Sequence, residues 1–378
     1  MPISINIPKA YLITLSCTGF FCVPGFGQTV DSVTKPKFKV GGYVDTYFAW
    51  YNDSVGTGNL EKFPAISPRS NAFGVNVAQL TGQYTSERLR STITLHVGDL
   101  PSAAWSPVFN YIQEANVGVR LHKTLWLDAG FFKTHIGTEA LLPKDNIFSS
   151  VSAITFFEPW WQSGARLVFT PCDKFTSALY IVNGYNAFVP INKKKAVGLA
   201  ATYNFTDNLS IGYYNFLSDN TPDNISTSHW RFLNNIVFNF PLGKKVSGVL
   251  GADLIAQENS SITNSPAFVN QTNTAYVYSL IFTLKYEVTK KFDVFGRIDH
   301  FNDSQGILSG IYVDDNGNYT GYILSGATIG AEYKPFDNAY IRIEGGEVQT
   351  NNALKIFYSN GSYTNARMDV MLNMGIWF

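Results

Sequence analysis

The residues most able to perform acid–base chemistry or to bind a metal are few and scattered. The five histidines are His96, His122, His135, His229 and His300. His135 and Glu139, in the segment KTHIGTE, could form a base and the carboxylate that orients it. However, no histidine stands in an HExxH or GxSxG pattern, and no cysteine and histidine spacing fits a metal site. The sequence therefore predicts no catalytic residue, metal or cofactor, and the preferred interpretation of His135 and Glu139 is a pair lining a watery interior.

The C-terminal segment ARMDVMLNMGIWF indicates which kind of element carries the charged residues. In this segment Ala366, Met368, Val370, Leu372, Met374, Ile376 and Phe378 alternate with Arg367, Asp369, Met371, Asn373, Gly375 and Trp377. Successive side chains of a β-strand point to opposite faces, so a period of two predicts a strand with one apolar face and one mostly polar face. Such a strand fits a soluble sheet or a barrel in lipid.

The composition favours a β-rich protein in contact with an apolar phase. Of the 378 residues, 45% are hydrophobic, 15% are aromatic and 15% are charged, and the net charge is +0. Soluble domains carry about 25% charged residues, so this chain has few. Abundant tyrosine and phenylalanine are typical of aromatic girdles at two membrane interfaces. Without net charge or a basic patch, the chain has no electrostatic attraction for nucleic acid.

The first 27 residues predict an export signal that is removed. Lys9 supplies a positive charge, AYLITLSCTGFFCV supplies a short apolar stretch, and GFG before Gln28 supplies small residues for cleavage. Cleavage would remove Cys17 and Cys22 and leave Cys172, which cannot form an internal disulfide alone. We expect residues 28–378 to form one domain that is stabilised without disulfide bonds.

Alternating segments recur along the mature chain. In AYVYSLIFTLKYEV, tyrosines stand at both ends of one face and aliphatic residues at its centre, as in a strand that crosses a bilayer. Together with FKVGGYVDTYFAW and the C-terminal segment, about sixteen segments have a length suitable for crossing. The other predicted segments are 70–84, 87–98, 109–122, 124–134, 162–171, 174–184, 194–205, 208–218, 228–241, 244–257, 291–302, 321–334 and 338–350.

The connections between these segments are short and long in turn. Short ones such as TSER, LHKT and PCDK alternate with long polar ones such as QENSSITNSPAFVNQTN. Lipid offers no hydrogen-bonding partner, so a sheet within it must close on itself. The pattern predicts an all-β, antiparallel up-and-down transmembrane barrel of about sixteen strands in the outer membrane of a Gram-negative bacterium. Both termini would be periplasmic; a secreted β-sandwich or propeller is the alternative.

If the apolar face meets lipid, the opposite face lines the lumen and carries charges of both signs. The expected lumen-lining charges are Asp45, Arg88, Arg90, Glu114, Arg120, Asp128, Arg166, Lys245, Asp253, Lys285, Asp293, Arg297, Asp299, Glu332, Arg342, Glu344, Arg367 and Asp369. An arginine or lysine facing the middle of the bilayer costs about 2–4 kcal/mol, whereas the same residue facing water is ordinary. These charges could be structural ion pairs, and as a group they predict a wet interior with weak ion preference.

The third long connection is unusually apolar for a loop exposed to water. Residues 135–161 belong to KTHIGTEALLPKDNIFSSVSAITFFEPWWQSG, and such a loop would be hidden from water by folding into the lumen. The alternative is that it caps the outer rim. The candidates for a pore constriction are Lys133, His135, Glu139, Lys144, Asp145 and Glu158.

This region resembles the β-barrel porin-2 family of Gram-negative outer membranes. GFFKTHIGTE and DNIFSSVSAITFFEPWWQSG are similar to the central pattern of that family, and GGYVDTYFAWYN is similar to its opening strand. The matching positions are Gly42, Asp45, Tyr47, Asn52, Gly130, Thr134, Gly137, Glu139, Asn146, Ser149, Glu158, Pro159 and Gly164. The adjacent Ser149 and Ser150 depart from the more aromatic run that the family has. The resemblance implies a barrel porin without specifying its solute.

These observations together predict a passive diffusion channel for small hydrophilic solutes and ions. A non-conducting structural or adhesive barrel, which binds partners through its long loops, is the alternative. A barrel enzyme lacks a recognisable site, and about ten residues between Gln28 and the first strand are too few for the plug of an energy-coupled transporter. Expected partners are outer-membrane lipid, the barrel-assembly machinery acting on Phe378, and, by analogy with other porins, two further copies in a homotrimer.

Overall fold

The computed structural model describes residues 35–53, 55–56, 58–262 and 273–378, and these form a closed antiparallel barrel. Sixteen strands pair in chain order, and the last strand closes the ring by pairing with the first. The predicted all-β fold class and strand number are therefore confirmed. The expected signal peptide, residues 1–27, lies outside the described residues.

The barrel strands are 8 to 15 residues long, as needed to cross a bilayer at a tilt. They are β1 (Lys37–Tyr51), β2 (Ala72–Thr85), β3 (Leu89–Val97), β4 (Ile112–His122), β5 (Leu125–Lys133), β6 (Trp161–Cys172), β7 (Phe175–Val182), β8 (Ala196–Thr206), β9 (Leu209–Ser218), β10 (Arg231–Leu242), β11 (Val246–Gln257), β12 (Ala275–Thr289), β13 (Phe292–Asn302), β16 (Ile323–Tyr333), β17 (Ala339–Thr350) and β20 (Ala366–Trp377).

The remaining elements lie in the long connections. They are the helices α1 (Asp99–Ala104) and α2 (Ala153–Phe157), a 3-10 turn (Pro143–Asp145), and two hairpins formed by β14 (Tyr312–Val313) with β15 (Tyr319–Thr320) and by β18 (Phe357–Ser359) with β19 (Ser362–Thr364). In the described ranges, neither helix has the length and apolar character needed to span a membrane.

The two faces of each strand differ as alternation predicts. On β12, Tyr276 and Leu280 point outward and are 56% and 53% exposed, whereas Val277 and Ile281 point inward and are 0% and 1% exposed. Short turns, for example residues 86–88, 123–124 and 207–208, lie at one rim. The long connections lie at the other rim, and residues 134–160 are the longest of them.

The interior is not uniformly polar, because apolar side chains fill part of it near the long-connection rim. Near the long-connection rim, inward positions such as Leu233 of β10, Ile255 of β11 and Val277 of β12 are fully buried. They belong to one apolar cluster with Ile154 and Phe357 from the connections. Connections that fold over the barrel exclude water there, so the inward rows end in apolar residues instead of charges.

The ring closes where Phe378 meets Gly42 of β1. The Phe378 backbone N–H donates to the Gly42 carbonyl at 3.1 Å, and the Gly42 N–H donates back to the Phe378 carbonyl at 3.0 Å. The Phe378 ring lies over Gly42 on the outer face, because a Cβ added to Gly42 would be only 2.4 Å from the ring Cζ. Gly42 thus leaves the space that the terminal aromatic ring fills.

Replacing Gly42 with alanine should displace the Phe378 ring. We expect Gly42→Ala and Phe378→Ala each to lower the free energy of unfolding by roughly 1 kcal/mol, the scale of one aromatic contact. The double variant should lose little more than either single variant, because both remove the same contact. Urea titration of the refolded barrel in detergent measures these changes.

The matched control is Gly82→Ala on the neighbouring strand β2. A Cβ at Gly82 would have ordinary contacts, since the nearest side-chain atom, in Phe38, is 3.7 Å away. Its substitution should therefore leave stability nearly unchanged. Additive losses from Gly42→Ala and Phe378→Ala would show that the ring and the glycine act independently.

Candidate functional site: a loop across the barrel interior

Residues 134–160, here called loop 3, connect the adjacent strands β5 and β6 and cross the interior. In the ring of sixteen strands β13 is the thirteenth and β5 the fifth, so β13 lies eight places away, on the opposite wall. Arg297 of β13 nevertheless donates to Glu139 Oε1 at 2.8 Å and to the Ser150 carbonyl at 3.1 Å. Loop 3 starts and ends at β5 and β6 but contacts β13 on the opposite wall, so it must span the barrel.

Arg297 is the centre of the anchor on the far wall. Its guanidinium is buried, lies 3.4 Å from Asp299 and stacks over the Phe148 ring of loop 3 at 4.9 Å. Glu139 uses its second carboxylate oxygen to accept hydrogen bonds from the hydroxyls of Ser152 and Thr155 at 2.6 and 2.8 Å. The ion pair therefore fixes both the crossing of loop 3 and its internal shape.

Strand β17 supplies a second anchor for the backbone of loop 3. Glu344 accepts hydrogen bonds from the N–H groups of Ser149 and of Ser150, the latter at 3.0 Å. Arg342 donates to the carbonyls of Pro143 and Asn146 at 2.7 and 3.0 Å. The adjacent serines, which depart from the family pattern, thus present two successive N–H groups to one carboxylate. These bonds satisfy backbone groups that would otherwise be buried without partners.

A third contact joins loop 3 to the wall beside β1. Asp45 accepts from Asn76 Nδ2 at 2.9 Å and from the Tyr340 hydroxyl at 2.7 Å. Tyr340 also shares a hydrogen bond of 2.6 Å with Tyr43, whose hydroxyl accepts from the Lys144 N–H at 3.2 Å. Asp45 therefore organises a polar network that ends on loop 3.

Two other predicted constriction residues lie against the wall rather than in open space. His135 stacks on Tyr180 with ring centres 3.9 Å apart, and its Nε2 lies 3.0 Å from the Asn215 carbonyl. Glu158 is buried beside Asp253 of β11. Burial first, and the neighbouring Asp253 carboxylate second, raise the pKa of Glu158 well above its ordinary value.

The six candidates are thus only partly brought together. Glu139 meets Arg297, Lys144 meets Asp145 at 2.6 Å, and His135 and Glu139 have separate partners instead of bonding each other. Lys133 is the last residue of β5, where its backbone N–H donates to Glu114 Oε1 at 3.4 Å, and its part in a constriction stays a prediction. The prediction missed Phe148, Ser149 and Ser150, whose role depends on the long-range partners Arg297 and Glu344.

Most of the other predicted lumen charges form ion pairs. Toward the short turns, Asp128 binds Arg90 at 2.7 Å and Arg166 at 2.9 Å, and Asp293 binds Lys334 at 2.7 Å. The remaining predicted inward charges with partners are Lys285 with Asp293, Arg342 with Glu332, Arg367 with Glu61, Arg297 with Asp299, and Arg120 with the Lys123 carbonyl. Asp369, on β20, lines the cavity beside Arg367.

Two of the charges predicted to line the lumen lie in short turns between strands instead of within a strand. Arg88 belongs to the short turn 86–88 and is exposed. Lys245 belongs to the turn 243–245, where its ammonium donates to the Val288 carbonyl at 3.2 Å. Alternation assigns a face only to residues within a strand, so it misassigned these two.

Cavities remain on both sides of loop 3. One of about 440 Å³ lies between the loop and the short turn at Asp207 and Asn208, and is lined by Asn239, Ser247 and Thr283 among others. The other, of about 60 Å³, lies between loop 3 and the first long connection, near Phe63 and Arg367. The second can hold only a few water molecules. Within the described ranges, no three His, Cys, Asp or Glu side chains are arranged to hold a metal ion.

Comparison with known proteins gives the same fold and a family. The sequence profile described as "Putative beta-barrel porin-2, OmpL-like" matches residues 37–378, which include every barrel strand and loop 3. The chain belongs to this family. The resemblance predicted from loop 3 and the first strand is therefore confirmed. A search of the curated proteins gave no match.

Several solved outer-membrane structures resemble this porin-2 family member in fold. The outer-membrane channel DcaP of Acinetobacter baumannii is 11% identical, with a TM-score of 0.59 over 90% of this chain and 97% of that one. The outer-membrane-expressed OmpT of Vibrio cholerae is 11% identical, with a TM-score of 0.57 over 93% of this chain and 99% of that one. OprB of Pseudomonas putida is 9% identical, with a TM-score of 0.54 over 91% of this chain and 94% of that one. These similarities show that the chain shares its barrel fold with proteins of Gram-negative outer membranes.

Removing Arg297 should destabilise the barrel far more than removing an exposed cation. Arg297→Met would leave Glu139 and Asp299 buried without their counter-ion, and breaking a buried pair costs about 3–5 kcal/mol. The control, Lys355→Met, removes an ion pair with Asp315 in which both side chains are about half exposed. It should change the free energy of unfolding by less than about 1 kcal/mol. Urea titration in detergent compares them; similar losses would show that Arg297 is not an anchor.

Proposed function

We propose that this protein is a porin through which small hydrophilic solutes and ions diffuse passively, and that loop 3 forms its constriction. The observation that carries the proposal is the contact between Arg297 and Glu139, which holds loop 3 across the interior of a sixteen-stranded barrel. A barrel of this size would otherwise leave an aqueous channel. Passage would be limited by the space beside the loop rather than by any covalent step.

The proposed orientation places the short turns and both termini of the mature chain in the periplasm. Outer-membrane barrels have short periplasmic turns and longer extracellular connections. β1 begins and Phe378 ends at the short-turn rim, so both would face the periplasm. The cavity of about 440 Å³ would then be a periplasmic vestibule below loop 3. Phe378 remains our candidate for the signal that the assembly machinery binds.

Ion selectivity should be weak because most inward charges are neutralised within the wall. Arg90, Arg166 and Arg297 each have a carboxylate within 3.4 Å, as does Lys334. Paired charges produce little net field in a channel. A reversal potential close to zero in a potassium chloride gradient is therefore expected, and a strong preference for one sign would contradict it.

A non-conducting barrel is the second candidate, and one observation favours it. The apolar cluster that includes Leu233, Ile255 and Ile154 fills part of the interior near the long connections. Packing of this kind could seal the barrel and leave the long connections as a binding surface. Enzyme activity has less support, because His135 and Glu139 have separate partners and form no catalytic pair. Swelling of liposomes in sugar solutions separates a porin from a sealed barrel.

A homotrimer is proposed by analogy with a similar structure, the trimer form of in-vitro folded OmpT of Vibrio cholerae. The outer face offers a shallow apolar groove lined by Gly296, Ala327 and Gly345 on three consecutive strands. Small residues would let the wall of a second copy approach closely. We expect Ala327→Trp to convert trimers into monomers in light scattering. A wild type that is monomeric in mild detergent would contradict this assembly.

Shortening loop 3 provides the direct test of the constriction. Replacing residues 140–156 with a short glycine and serine linker should raise the single-channel conductance in planar bilayers several-fold, because the crossing segment is removed. The matched control shortens the turn between Val313 and Tyr319, whose Asp315 contacts Ala353 and Lys355 of another long connection rather than loop 3. The control should conduct like the wild type. Unchanged conductance without residues 140–156 would reject loop 3 as the constriction.

A further inference from the structure

An inward arginine near the long-connection rim has no carboxylate partner. Arg231, the first residue of β10, donates through Nε to Gln257 Oε1 at 2.6 Å and through Nη2 to the Ile307 carbonyl at 3.1 Å. Both acceptors are neutral. Among the described residues, no Asp or Glu oxygen lies within 4.0 Å of this guanidinium. The guanidinium also lies over the Tyr185 ring, 4.9 Å from the ring centre, so it is oriented without a carboxylate contact.

This environment contrasts with that of the other interior arginines. Arg90 and Arg166 share Asp128, Arg297 binds Glu139, and Arg342 binds Glu332. Removing a charge from water without a partner is costly, so an unpaired guanidinium in a pocket wall is a strong attractor for an anion. Arg231 also retains further N–H donors, since a guanidinium has five and two have the acceptors described above.

Two carboxylates near this rim are occupied by other groups. Asp219 binds Lys194 and accepts from the Thr221 N–H at 2.8 Å. Asp303 accepts from the N–H groups of Leu308 and Ser309 at 2.9 and 2.7 Å. Neither carboxylate is free to turn toward Arg231 without breaking these bonds. An anion from solution would thus not have to displace either carboxylate from a contact with Arg231.

The arginine lines a pocket of about 310 Å³ with two chemically different parts. Arg231, His229 and Thr221 supply polar groups, whereas Pro222, Ile225 and Ile307 supply an apolar wall. His229 uses Nδ1 toward Ser260 at 3.1 Å, and its Nε2 has no protein partner in the described part of the chain. The volume is at the lower end of small-molecule pockets, which range from about 300 to 1,000 Å³.

We propose that this pocket binds small organic carboxylates that have an apolar body. The carboxylate would accept hydrogen bonds from Arg231, with His229 beside it, and the apolar body would lie against Ile225 and Ile307. Arginine suits this role because its planar fork matches the two oxygens of a carboxylate. Binding at this pocket does not depend on the proposed porin function. Its consequence for transport does: in a porin, such solutes would be held at the extracellular entrance before they reach loop 3.

Benzoate is the probe, because it combines one carboxylate with a small apolar ring. Isothermal titration of the refolded full-length mature barrel in detergent at pH 7 should detect saturable benzoate binding. Benzyl alcohol tests the need for the negative charge, and inorganic phosphate tests the need for the apolar body. We expect neither to bind measurably at concentrations at which benzoate saturates the site.

The variant Arg231→Gln should weaken benzoate binding by at least about tenfold, because a charge-assisted hydrogen bond to the carboxylate is lost. Arg231→Lys should bind better than Arg231→Gln because it retains the charge. The matched control is Arg120→Gln: Arg120 also bonds only carbonyl oxygens, but it lies at the short-turn rim. This control should bind benzoate like the wild type. A heat-dependent shift in gel mobility verifies that each variant is folded.

Three results would overturn the proposal: benzoate binding unchanged in Arg231→Gln, equal binding of benzyl alcohol, or binding lost equally in Arg120→Gln. Because titration in detergent does not require conduction, this test is independent of the proposed porin function. A barrel that binds benzoate through Arg231 but admits no sugar into liposomes would retain the binding site and refute passive diffusion. Conversely, conduction without benzoate binding would refute only the site.

Discussion

The need to pair every backbone N–H and C=O group within lipid determines this structure. Sixteen strands satisfy that need by closing into a ring, and the closure depends on the last strand meeting the first at Gly42 and Phe378. Once the ring is closed, alternation assigns each strand residue to lipid or to the interior. Loop 3 can cross the interior only because the inward rows present Arg297, Arg342 and Glu344 to its side chains and backbone.

Loop 3 and the barrel wall are two parts of one polar network. Glu139 on the loop needs the charge of Arg297, and Glu344 on the wall needs the N–H groups of Ser149 and Ser150. Each partner would be a buried, unsatisfied group without the other. This dependence explains how a long apolar connection keeps one path across the interior. Most charged side chains of the wall are bonded to a group of opposite charge. Arg231, at the long-connection rim, is an exception, since its hydrogen bonds go to neutral acceptors.

Periodicity was sufficient to predict the barrel strands, because a period of two is a local property. The segments 244–257 and 291–302, for example, agree with β11 and β13 to within two residues. Local patterns could not show which inward positions the connections cover: Leu233 and Ile255 are buried in one apolar cluster with Ile154, which is distant in sequence. The same limit applies to loop 3, where Glu139 was a sound candidate but its partner Arg297 is 158 positions away.

The most direct measurement of the central claim is a disulfide between loop 3 and the opposite wall. The hydroxyls of Ser150 and Thr328 each lie 3.3 Å from the same Arg297 nitrogen, so these positions are close together. We predict that Ser150→Cys with Thr328→Cys, in a Cys172→Ser background, forms an intramolecular disulfide in the folded barrel under mild oxidation, detectable by mass spectrometry of peptides. If the two thiols remain free in the folded barrel and link only after unfolding, loop 3 does not cross the interior.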